Sequence, residues 1–326
     1  MVTGPIRPPS EAHSLLIRVT ENCPWNRCEF CSAFKQDKFH IRTVEEVKED
    51  ILTFRRVADE LTAWAKQVGS PLSQVAVAND ISWLGDDGIT SAFLQDSDTL
   101  TMKTAPLVEI IEFLKQTFPT LDRICSYARG KTLCRKTAEE LAQLRKAGLS
   151  RLHIGLETGD DELLAYINKG ATSQDMIDGG KKAMDAGFEV SMYVMPGLGG
   201  KEKWEQHVQN TARVLNAVNP HFVRLRSFHV LPGTPMFEKA MRGEYHVLTI
   251  EGALAEVRSL IGLLDGPSQV VTSDYAWNYF MGDIDGKLPQ DKQKLLRAFD
   301  DAIDFWRRRG EPARSPFFSG VRRSEN

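Results

Sequence analysis

Three cysteines lie within nine residues near the start of the chain, at positions 23, 28 and 31. They directly follow the apolar segment 14–20, which the pattern predicts to be a strand. Thiolates at such close spacing suit a soft metal site, either a tetrahedral zinc or an iron–sulfur cluster. The neighbouring residues Arg27 and Glu29 are charged, which disfavours a core packing role for the three thiols.

The number of ligands separates the two metal hypotheses. A structural zinc site normally takes four protein ligands, and this segment offers three cysteines. His40 is a candidate for the fourth ligand, but it lacks the paired spacing of a zinc finger. A [4Fe-4S] cluster held by three cysteines leaves one iron open to a substrate or cofactor. The spacing therefore favours a cluster, with zinc as the alternative.

Predicted strands and helices alternate along the chain, and they must position the cysteine segment. Helical periodicity separates six apolar segments that are predicted to be strands, at residues 14–20, 91–95, 123–127, 151–156, 188–195 and 222–227. Such βα alternation is typical of a parallel sheet. Capping boxes at Thr43–Glu46 and Thr137–Glu140 predict two helix starts, and Pro106 is predicted to open a third helix at its first position. Beyond Pro235 we expect the alternation to stop, with two helices at 250–264 and 289–309.

Together these residues resemble the radical S-adenosylmethionine (radical SAM) enzymes. The usual motif of that family is C-x3-C-x2-C after the first strand, and here the spacing is C-x4-C-x2-C. Phe30, directly before the third cysteine, and the six βα units also match the family pattern. The resemblance implies an α/β fold, a partial (β/α)6 TIM-like barrel with a short helical C-terminal extension. We accordingly expect a lead-in at 1–13, the barrel at 14–235 and a helical cap with a basic tail at 236–326.

The resemblance also implies the cofactors. Cys23, Cys28 and Cys31 would hold a [4Fe-4S] cluster whose open iron binds S-adenosylmethionine. Reductive cleavage of that cofactor would give a 5′-deoxyadenosyl radical, which abstracts hydrogen from a small organic substrate. The expected partners are that substrate and an electron donor such as flavodoxin or ferredoxin. The identity of the substrate and the catalytic residues do not follow from the sequence.

Other candidate site residues stand at the ends of predicted strands. Asp96 and Asp98 take the position at which family members hold the methionine ammonium, and Arg129 is a candidate partner for the methionine carboxylate. Glu157 matches a position that contacts the ribose or the amino group. Arg226 shares one face of the sixth strand with Arg224, where either could meet a substrate carboxylate. The expected cofactor-binding residues are thus Phe30, Asp96, Asp98, Arg129, Glu157 and Arg226.

Composition narrows the function classes further. The chain is 42% hydrophobic and 26% charged with a net charge of −3, so it gives no general electrostatic case for nucleic-acid or membrane partners. No apolar run reaches the roughly 18–20 residues of a membrane span, and the first ten residues lack the apolar core of a signal peptide. With five cysteines, three of them clustered, a cytoplasmic location is expected.

Two other functional hypotheses remain open. One is an RNA-modifying radical SAM enzyme that uses the basic residues at the C-terminal end, Arg307, Arg308, Arg309, Arg314, Arg322 and Arg323. The other is a zinc-binding scaffold without redox chemistry. Cys125 and Cys134 are expected to be inert, because two thiols cannot complete a second cluster. His153 alternates with apolar strand residues and is expected to be a core histidine.

Overall fold

The computed structural model describes residues 4, 6–35, 38–275, 278 and 284–309. The chain forms two compact units. The first comprises residues 1–26, 33–153 and 182–189, and the second comprises residues 27–32, 154–181 and 190–326. None of the helices in the described residues combines the length and the apolar character that a membrane-spanning segment requires. The boundaries predicted at residues 13 and 235 stay a prediction.

Strands and helices alternate as predicted through most of the chain. The strands in the described residues are β1 (Leu15–Arg18), β2 (Thr20–Glu21), β3 (His40–Ile41), β4 (Ser91–Gln95), β5 (Arg123–Ala128), β6 (Leu149–Glu157), β7 (Glu189–Val194), β8 (Phe222–Leu225), β9 (Gln269–Val271) and β10 (Gly286–Lys287). The helices are α1 (Val44–Val68), α2 (Leu72–Ala78), α3 (Thr104–Thr117), α4 (Gly130–Arg135), α5 (Ala138–Ala147), α6 (Asp161–Tyr166), α7 (Ser173–Asp185), α8 (Gly200–Val218), α9 (Pro235–Met241), α10 (Ile250–Leu263) and α11 (Lys292–Arg309).

In the first unit, neighbouring strands run parallel. β1 pairs with β4, where Leu15 is opposite Ala92, and β4 pairs with β5, where Phe93 is opposite Cys125. β5 is followed by β6, which begins in this unit and continues into the second. β2 and β3 form a separate antiparallel pair. The parallel order places the carboxyl ends of β1, β4 and β5 along one edge of the sheet.

The second unit continues the strand order from β6 through β7, β8, β9 and β10. β7, β8 and β9 are parallel, and β10 is antiparallel to β9. The expectation that alternation stops after Pro235 was therefore wrong, because α10 leads into the further parallel strand β9. Gln269–Val271 is only three residues long, which is too short for a hydrophobic pattern to identify. The mostly parallel α/β sheet of a partial TIM-like barrel and the helical C-terminal region are confirmed.

Local sequence signals fix the helix starts. Both capping boxes form as predicted: Glu46 donates its backbone N–H to the Thr43 hydroxyl, and Glu140 does the same with Thr137. The prediction for Pro106 was off by two residues, because α3 begins at Thr104. A proline is still tolerated there, since the N–H groups of a first helical turn have no partner within the helix.

Each unit has its own hydrophobic core. In the first, α1 and α3 pack together and bury Ile51, Phe54 and Ile110. In the second, a cluster forms around buried Leu163, Ile167, Leu198, Phe228, Val230, Met236 and Tyr245. A fully buried side chain of this kind contributes about 1.5–3 kcal/mol relative to an exposed one. These cores fix the strand ends, which carry the candidate site residues.

Candidate cofactor site

The first cysteine stands in the first unit, shortly after β2 and before β3, the two short antiparallel strands. Thr20 is opposite Ile41 and Glu21 is opposite His40, so the two-stranded sheet holds both ends of the intervening segment. Asn26 donates its backbone N–H to Cys23 Sγ at 3.4 Å, a contact of the kind that stabilises a sulfur ligand. Asn26 has a φ of 46°, in the left-handed region that asparagine tolerates better than most residues.

Cys28 and Cys31 stand in the second unit and are joined by a tight turn, in which Cys31 N–H donates to the Cys28 carbonyl at 3.4 Å. Glu29 between them is anchored three ways. Its N–H donates to the Ile167 carbonyl at 2.9 Å, and its own carbonyl accepts from Met236 N–H at 3.2 Å. Its carboxylate pairs with Lys239 at 2.5 Å. The pair of cysteines is thus held by α9 and by the chain that follows α6.

The motif cysteines differ from Cys125 in their surroundings. Cys23, Cys28 and Cys31 are partly exposed, whereas Cys125 is buried. Burial raises the pKa of the Cys125 thiol well above its ordinary value, so that thiol stays protonated at neutral pH. A metal ligand must be a thiolate, which favours the accessible motif cysteines. Phe30 packs against the hydrophobic cluster of the second unit.

Asp96 connects the end of β4 to the start of the cysteine segment. Its Oδ2 accepts hydrogen bonds from Arg18 Nε at 3.0 Å, from Arg18 Nη2 at 2.9 Å and from Asn22 N–H at 2.9 Å. Asn22 directly precedes Cys23. Asp96 Oδ1 is buried, and no described residue hydrogen-bonds to it. Burial raises the pKa of this carboxyl above its ordinary value, although Asn22 and Arg18 act in the opposite direction.

Asp98 has a different environment from Asp96. It is fully buried, and its oxygens accept from Thr132 Oγ1 at 2.5 Å, Thr101 Oγ1 at 3.1 Å and Arg129 N–H at 3.2 Å. Burial raises the pKa of Asp98. Arg129 precedes α4, and its guanidinium carbon lies 5.4 Å from the ring centroid of Trp25 in the cysteine segment. Asp98 thus stabilises the start of α4, and Arg129 stands beside Trp25, two residues after the first cysteine.

Glu157 ends β6 with a φ of 62°, a conformation that non-glycine residues rarely adopt. Its Oε1 accepts from Lys169 Nζ at 2.7 Å, and its carbonyl accepts from Met195 N–H at 3.0 Å. The predicted contact between Glu157 and the cofactor stays a prediction, as do those of Phe30, Asp96, Asp98 and Arg129.

Arg226 lies directly beyond β8, in the second unit. Its backbone N–H donates to the Val194 carbonyl at 2.9 Å, and its guanidinium carbon lies 4.3 Å from the Tyr193 ring centroid. Its neighbour on the same face, Arg224, pairs with Asp274 and donates from Nε to Ser191 Oγ at 3.0 Å. The two arginines therefore have different surroundings. The cofactor role predicted for Arg226 stays a prediction.

Sequence reasoning missed several residues that position these groups. Arg18, Asn22 and Trp25 hold Asp96 or Arg129, and Lys169 pairs with Glu157. The sequence does carry a signal for Arg18. It is a charged residue in the otherwise apolar segment 14–20, and that segment precedes the cysteines. No local signal connects Lys169 to Glu157, since their contact depends on the chain turn after α6.

One further group of potential metal ligands lies in the first unit. Glu11, Cys125 and His153 are buried and place a ligand atom each within 4.8 Å of one another. Arg123 and Arg151 both contact the same Glu11 carboxylate, at 3.2 and 3.4 Å. The positive charges of Arg123 and Arg151 would repel a divalent cation at this position. We therefore assign Glu11, Cys125 and His153 to a buried ion-pair network. His153 is the buried, hydrogen-bonded core histidine that was predicted.

His40, the candidate fourth ligand of the alternative zinc site, is exposed on β3. Of the basic tail, Arg307, Arg308 and Arg309 end α11, and the remaining arginines lie outside the described residues.

Most of the chain, including the three motif cysteines, matches a known protein family. The family model described as the radical SAM superfamily matches residues 17–212, which is more than half of the chain and includes the three motif cysteines. The chain belongs to the radical SAM superfamily. The [4Fe-4S] cluster and S-adenosylmethionine that were predicted from the sequence are the cofactors of this superfamily.

Curated relatives cover only part of this radical SAM chain. The tRNA uridine(34) acetyltransferase of Methanocaldococcus jannaschii is 29% identical over 122 residues, which are 36% of this chain and 22% of that protein. The heme chaperone HemW of Bacillus subtilis is 26% identical over 171 residues, 52% of this chain and 44% of that protein. The chain spans less than half of the length of these relatives.

Solved radical SAM structures support the fold. Methylornithine synthase (PylB) superposes with a TM-score of 0.50 at 16% identity, over 88% of this chain and 68% of that one. The cobalamin-dependent radical SAM enzyme OxsB, with aqua-cobalamin and S-adenosylmethionine bound, gives 0.53 at 12% identity, over 89% and 46%. At these identities the similarity shows the architecture alone.

Proposed function

We propose that this protein is a radical SAM enzyme that cleaves S-adenosylmethionine reductively and abstracts hydrogen from a small organic substrate. The observation that carries the proposal is the cysteine segment itself, with three partly exposed thiols in the chain that follows β1 and β2, inside the region matched by the superfamily model. When bound, the [4Fe-4S] cluster supplies the electron that breaks the S–C5′ bond, and that electron comes from an external donor such as flavodoxin or ferredoxin.

The residues present fit this pair of cofactors. Cys23, Cys28 and Cys31 would hold three irons of a [4Fe-4S] cluster and leave the fourth iron for the cofactor. Asp96 Oδ1 is a buried carboxylate oxygen without a hydrogen-bonded partner among the described residues, and an ammonium group would satisfy it. Arg129, beside Trp25, supplies a fork of donors that suits a carboxylate. The ammonium and the carboxylate are the two charged groups of the methionine moiety, so Asp96 and Arg129 would bind one each.

Other contacts hold these groups in place. Arg18 fixes the Asp96 carboxylate through two hydrogen bonds, which also restricts the position of Asn22 before the first cysteine. The Glu29–Lys239 ion pair holds the segment that carries the second and third cysteines. Such preorganisation reduces the reorganisation that cofactor binding would require.

The test is anaerobic reconstitution with iron and sulfide, followed by reduction in the presence of S-adenosylmethionine. We expect about four irons per chain and release of 5′-deoxyadenosine, and Cys28→Ala is expected to lose both. Cys125→Ala is the matched control, because the buried thiol takes no part in the cluster. Tight binding of zinc without iron would support the zinc-binding scaffold instead. A fully loaded cluster that yields no 5′-deoxyadenosine but binds hemin would favour a chaperone role like that of the HemW relative.

An RNA substrate is the second candidate, because one relative is named as a tRNA uridine(34) acetyltransferase. The three consecutive arginines at the end of α11 offer a local positive charge, although Arg307 pairs with Glu251 at 2.7 Å. A salt-dependent shift of tRNA by the holoprotein, lost when Arg308 and Arg309 are changed to Gln, would support this candidate. Absence of any shift at low salt would exclude it.

A further inference from the structure

Part of the lead-in before β1 lies across the carboxyl end of β4 in the first unit. The side chain of Gln95 is fully buried there and accepts a hydrogen bond from the Gly4 N–H at 2.9 Å. Its amide nitrogen donates to the carbonyl of Ile6 at 2.9 Å and to that of Gly4 at 3.3 Å. One side chain of β4 thus binds the backbone of Gly4 and Ile6, which we call the lead-in strap.

The strap also lies against the neighbouring carboxylate of Asp96. A Cβ added to Gly4 would overlap Asp96 Oδ1 and lie 2.8 Å from Asp96 Cγ, so only a residue without a side chain can approach this closely. The oxygen that Gly4 covers is the buried one that receives no hydrogen bond from a described residue. In this arrangement the strap fills the space beside Oδ1.

The two oxygens of Asp96 are therefore satisfied unequally. Oδ2 accepts hydrogen bonds from Arg18 and from the Asn22 N–H. Oδ1 is buried against the glycine and gains no hydrogen bond there in exchange for water, which is unfavourable for a carboxylate. Burial also raises the pKa of this carboxyl. A cationic donor at Oδ1 would satisfy the oxygen better than the strap does.

The surface under the strap is held more firmly than the strap itself. The carbonyl of Gln95 accepts from the Val19 N–H at 2.6 Å, and the Asp96 N–H donates to the Thr20 carbonyl at 3.1 Å, so the end of β4 is fixed by backbone hydrogen bonds. In the strap, Ile6 is 37% exposed. A segment with little buried apolar surface opens at a lower free-energy cost than a strand of the sheet does.

We propose that the lead-in strap is an autoinhibitory contact, which occupies the place of the methionine ammonium at Asp96 Oδ1 and leaves when S-adenosylmethionine binds. The inference rests on the proposed function, in which Asp96 binds that ammonium. Departure of the strap would release the Gly4 N–H and the Ile6 carbonyl from Gln95. Because only the open form binds the cofactor, the closed fraction lowers the apparent affinity.

The first experiment measures hydrogen exchange of the Gly4 amide by mass spectrometry, on the full chain with its cluster reconstituted and without reductant. This amide donates to Gln95 in the closed form, so saturating S-adenosylmethionine should speed its exchange at least fivefold. The control ligand is 5′-methylthioadenosine, which lacks both charged groups of the methionine moiety. It should leave the exchange rate within twofold.

The second experiment measures equilibrium binding of S-adenosylmethionine to reconstituted variants of matched iron content. Gly4→Ala should raise the affinity at least threefold, because the added Cβ does not fit against Asp96. Gln95→Met keeps a side chain of similar volume but removes the hydrogen bonds to the strap, so it should have the same effect. Gly262→Ala is the matched control, since a Cβ there meets nothing within 4 Å, and its affinity should stay within twofold.

Several results would overturn the inference. Unchanged exchange of the Gly4 amide in saturating S-adenosylmethionine would show that the strap stays in place, and equal acceleration by 5′-methylthioadenosine would separate its movement from the ammonium. Unchanged affinity in both strap variants would exclude inhibition, and lower affinity in both would make the strap part of the cofactor site. In each of these cases, release of 5′-deoxyadenosine on reduction would leave the proposed function intact. If neither the fully loaded unmodified protein nor Gly4→Ala binds S-adenosylmethionine, the proposed function fails and the inference fails with it.

Discussion

Asp96 and Arg18 join the carboxyl ends of two neighbouring parallel strands through a two-point ion pair. Both Nε and Nη2 of Arg18 donate to the same oxygen, Asp96 Oδ2, at 3.0 and 2.9 Å. The same oxygen accepts from the N–H of Asn22, the residue before the first motif cysteine. The other oxygen, Oδ1, is buried and receives no hydrogen bond from a described residue. One carboxylate thus fixes the start of the cysteine segment, and its second oxygen lies buried beside Gly4.

Asp96→Asn should therefore weaken S-adenosylmethionine binding while the cluster is retained. Loss of a hydrogen bond to a charged group costs about 1.5–3 kcal/mol, which corresponds to an affinity roughly 10- to 100-fold lower. The measurement is equilibrium binding to the reconstituted protein, with iron content determined in parallel. Ser97→Ala is the control, because it removes the hydroxyl that donates to the Asn22 carbonyl but no charge. Unchanged affinity in Asp96→Asn would contradict the ammonium-binding role.

Lys239→Met should make the cluster easier to remove. Lys239 pairs with Glu29 at 2.5 Å, lies 3.7 Å from the Tyr166 ring centroid and donates to the Tyr166 carbonyl at 3.0 Å. Loss of these contacts releases one anchor of the segment between Cys28 and Cys31. We expect iron release to a chelator to become severalfold faster, measured by the decay of visible absorption. Lys203→Met removes the exposed pair with Glu162 and should leave the rate unchanged. Equal rates in both variants would argue against this anchor.

Glu11 should contribute a pH-dependent part of the stability. Its burial alone would raise the pKa, but hydrogen bonds from His153 and Ser14 and the charge of Arg123 lower the pKa from 4.5 to about 2. Because the folded-state pKa is depressed, this stability is fully present above about pH 4.5 and is lost as the pH falls towards 2. The contribution is about 3 kcal/mol, on the order of 1.4 kcal/mol for each pKa unit.

The measurement for Glu11 is denaturant unfolding of the cluster-free protein at several pH values. Glu11→Gln should be less stable than the unmodified protein at pH 6, and the difference should shrink as the pH approaches 2. Glu205→Gln, which changes an exposed carboxylate on α8, should follow the unmodified protein throughout. A stability difference that is independent of pH would refute the ionic role.

Gly159→Ala and Gly262→Ala should change stability in opposite directions. A Cβ at Gly159 would lie 2.3 Å from the Asn210 carbonyl oxygen and 2.7 Å from Thr211 Cα, both in the backbone of α8. Such overpacking costs about 1–3 kcal/mol. A Cβ at Gly262, within α10, meets nothing within 4 Å, so alanine should stabilise the helix by roughly 0.5–1 kcal/mol. Thermal unfolding of both variants checks this, and a neutral Gly159→Ala would show that α8 can shift.

The superfamily, most helices and six strands could be predicted from the sequence, because the signals for them are local. The three cysteines, together with Phe30 and the βα units, led to the superfamily and its cofactors, because ligand type and spacing limit which metal group a short segment can hold. The capping boxes at Thr43 and Thr137 and the apolar periodicities located most helices and six strands, because these signals act over a few residues. β9 was missed because three residues carry too little pattern.

Only the tertiary structure decided how the candidate charges are used. Asp96 and Asp98 are two residues apart and equivalent by sequence, yet Asp96 has a buried oxygen beside Gly4 that receives no hydrogen bond from a described residue. The oxygens of Asp98 accept hydrogen bonds from Thr101, Thr132 and Arg129. Arg224 and Arg226 lie two residues apart on one strand face, yet the loop after β9 brings Asp274 to the first and Tyr275 to the second. Apart from the contact between Asp98 and Thr101, these contacts join residues distant in the chain, so no local pattern encodes them. The sequence by itself determined the cofactor chemistry, and packing between strands and loops determined the surroundings of each charged side chain.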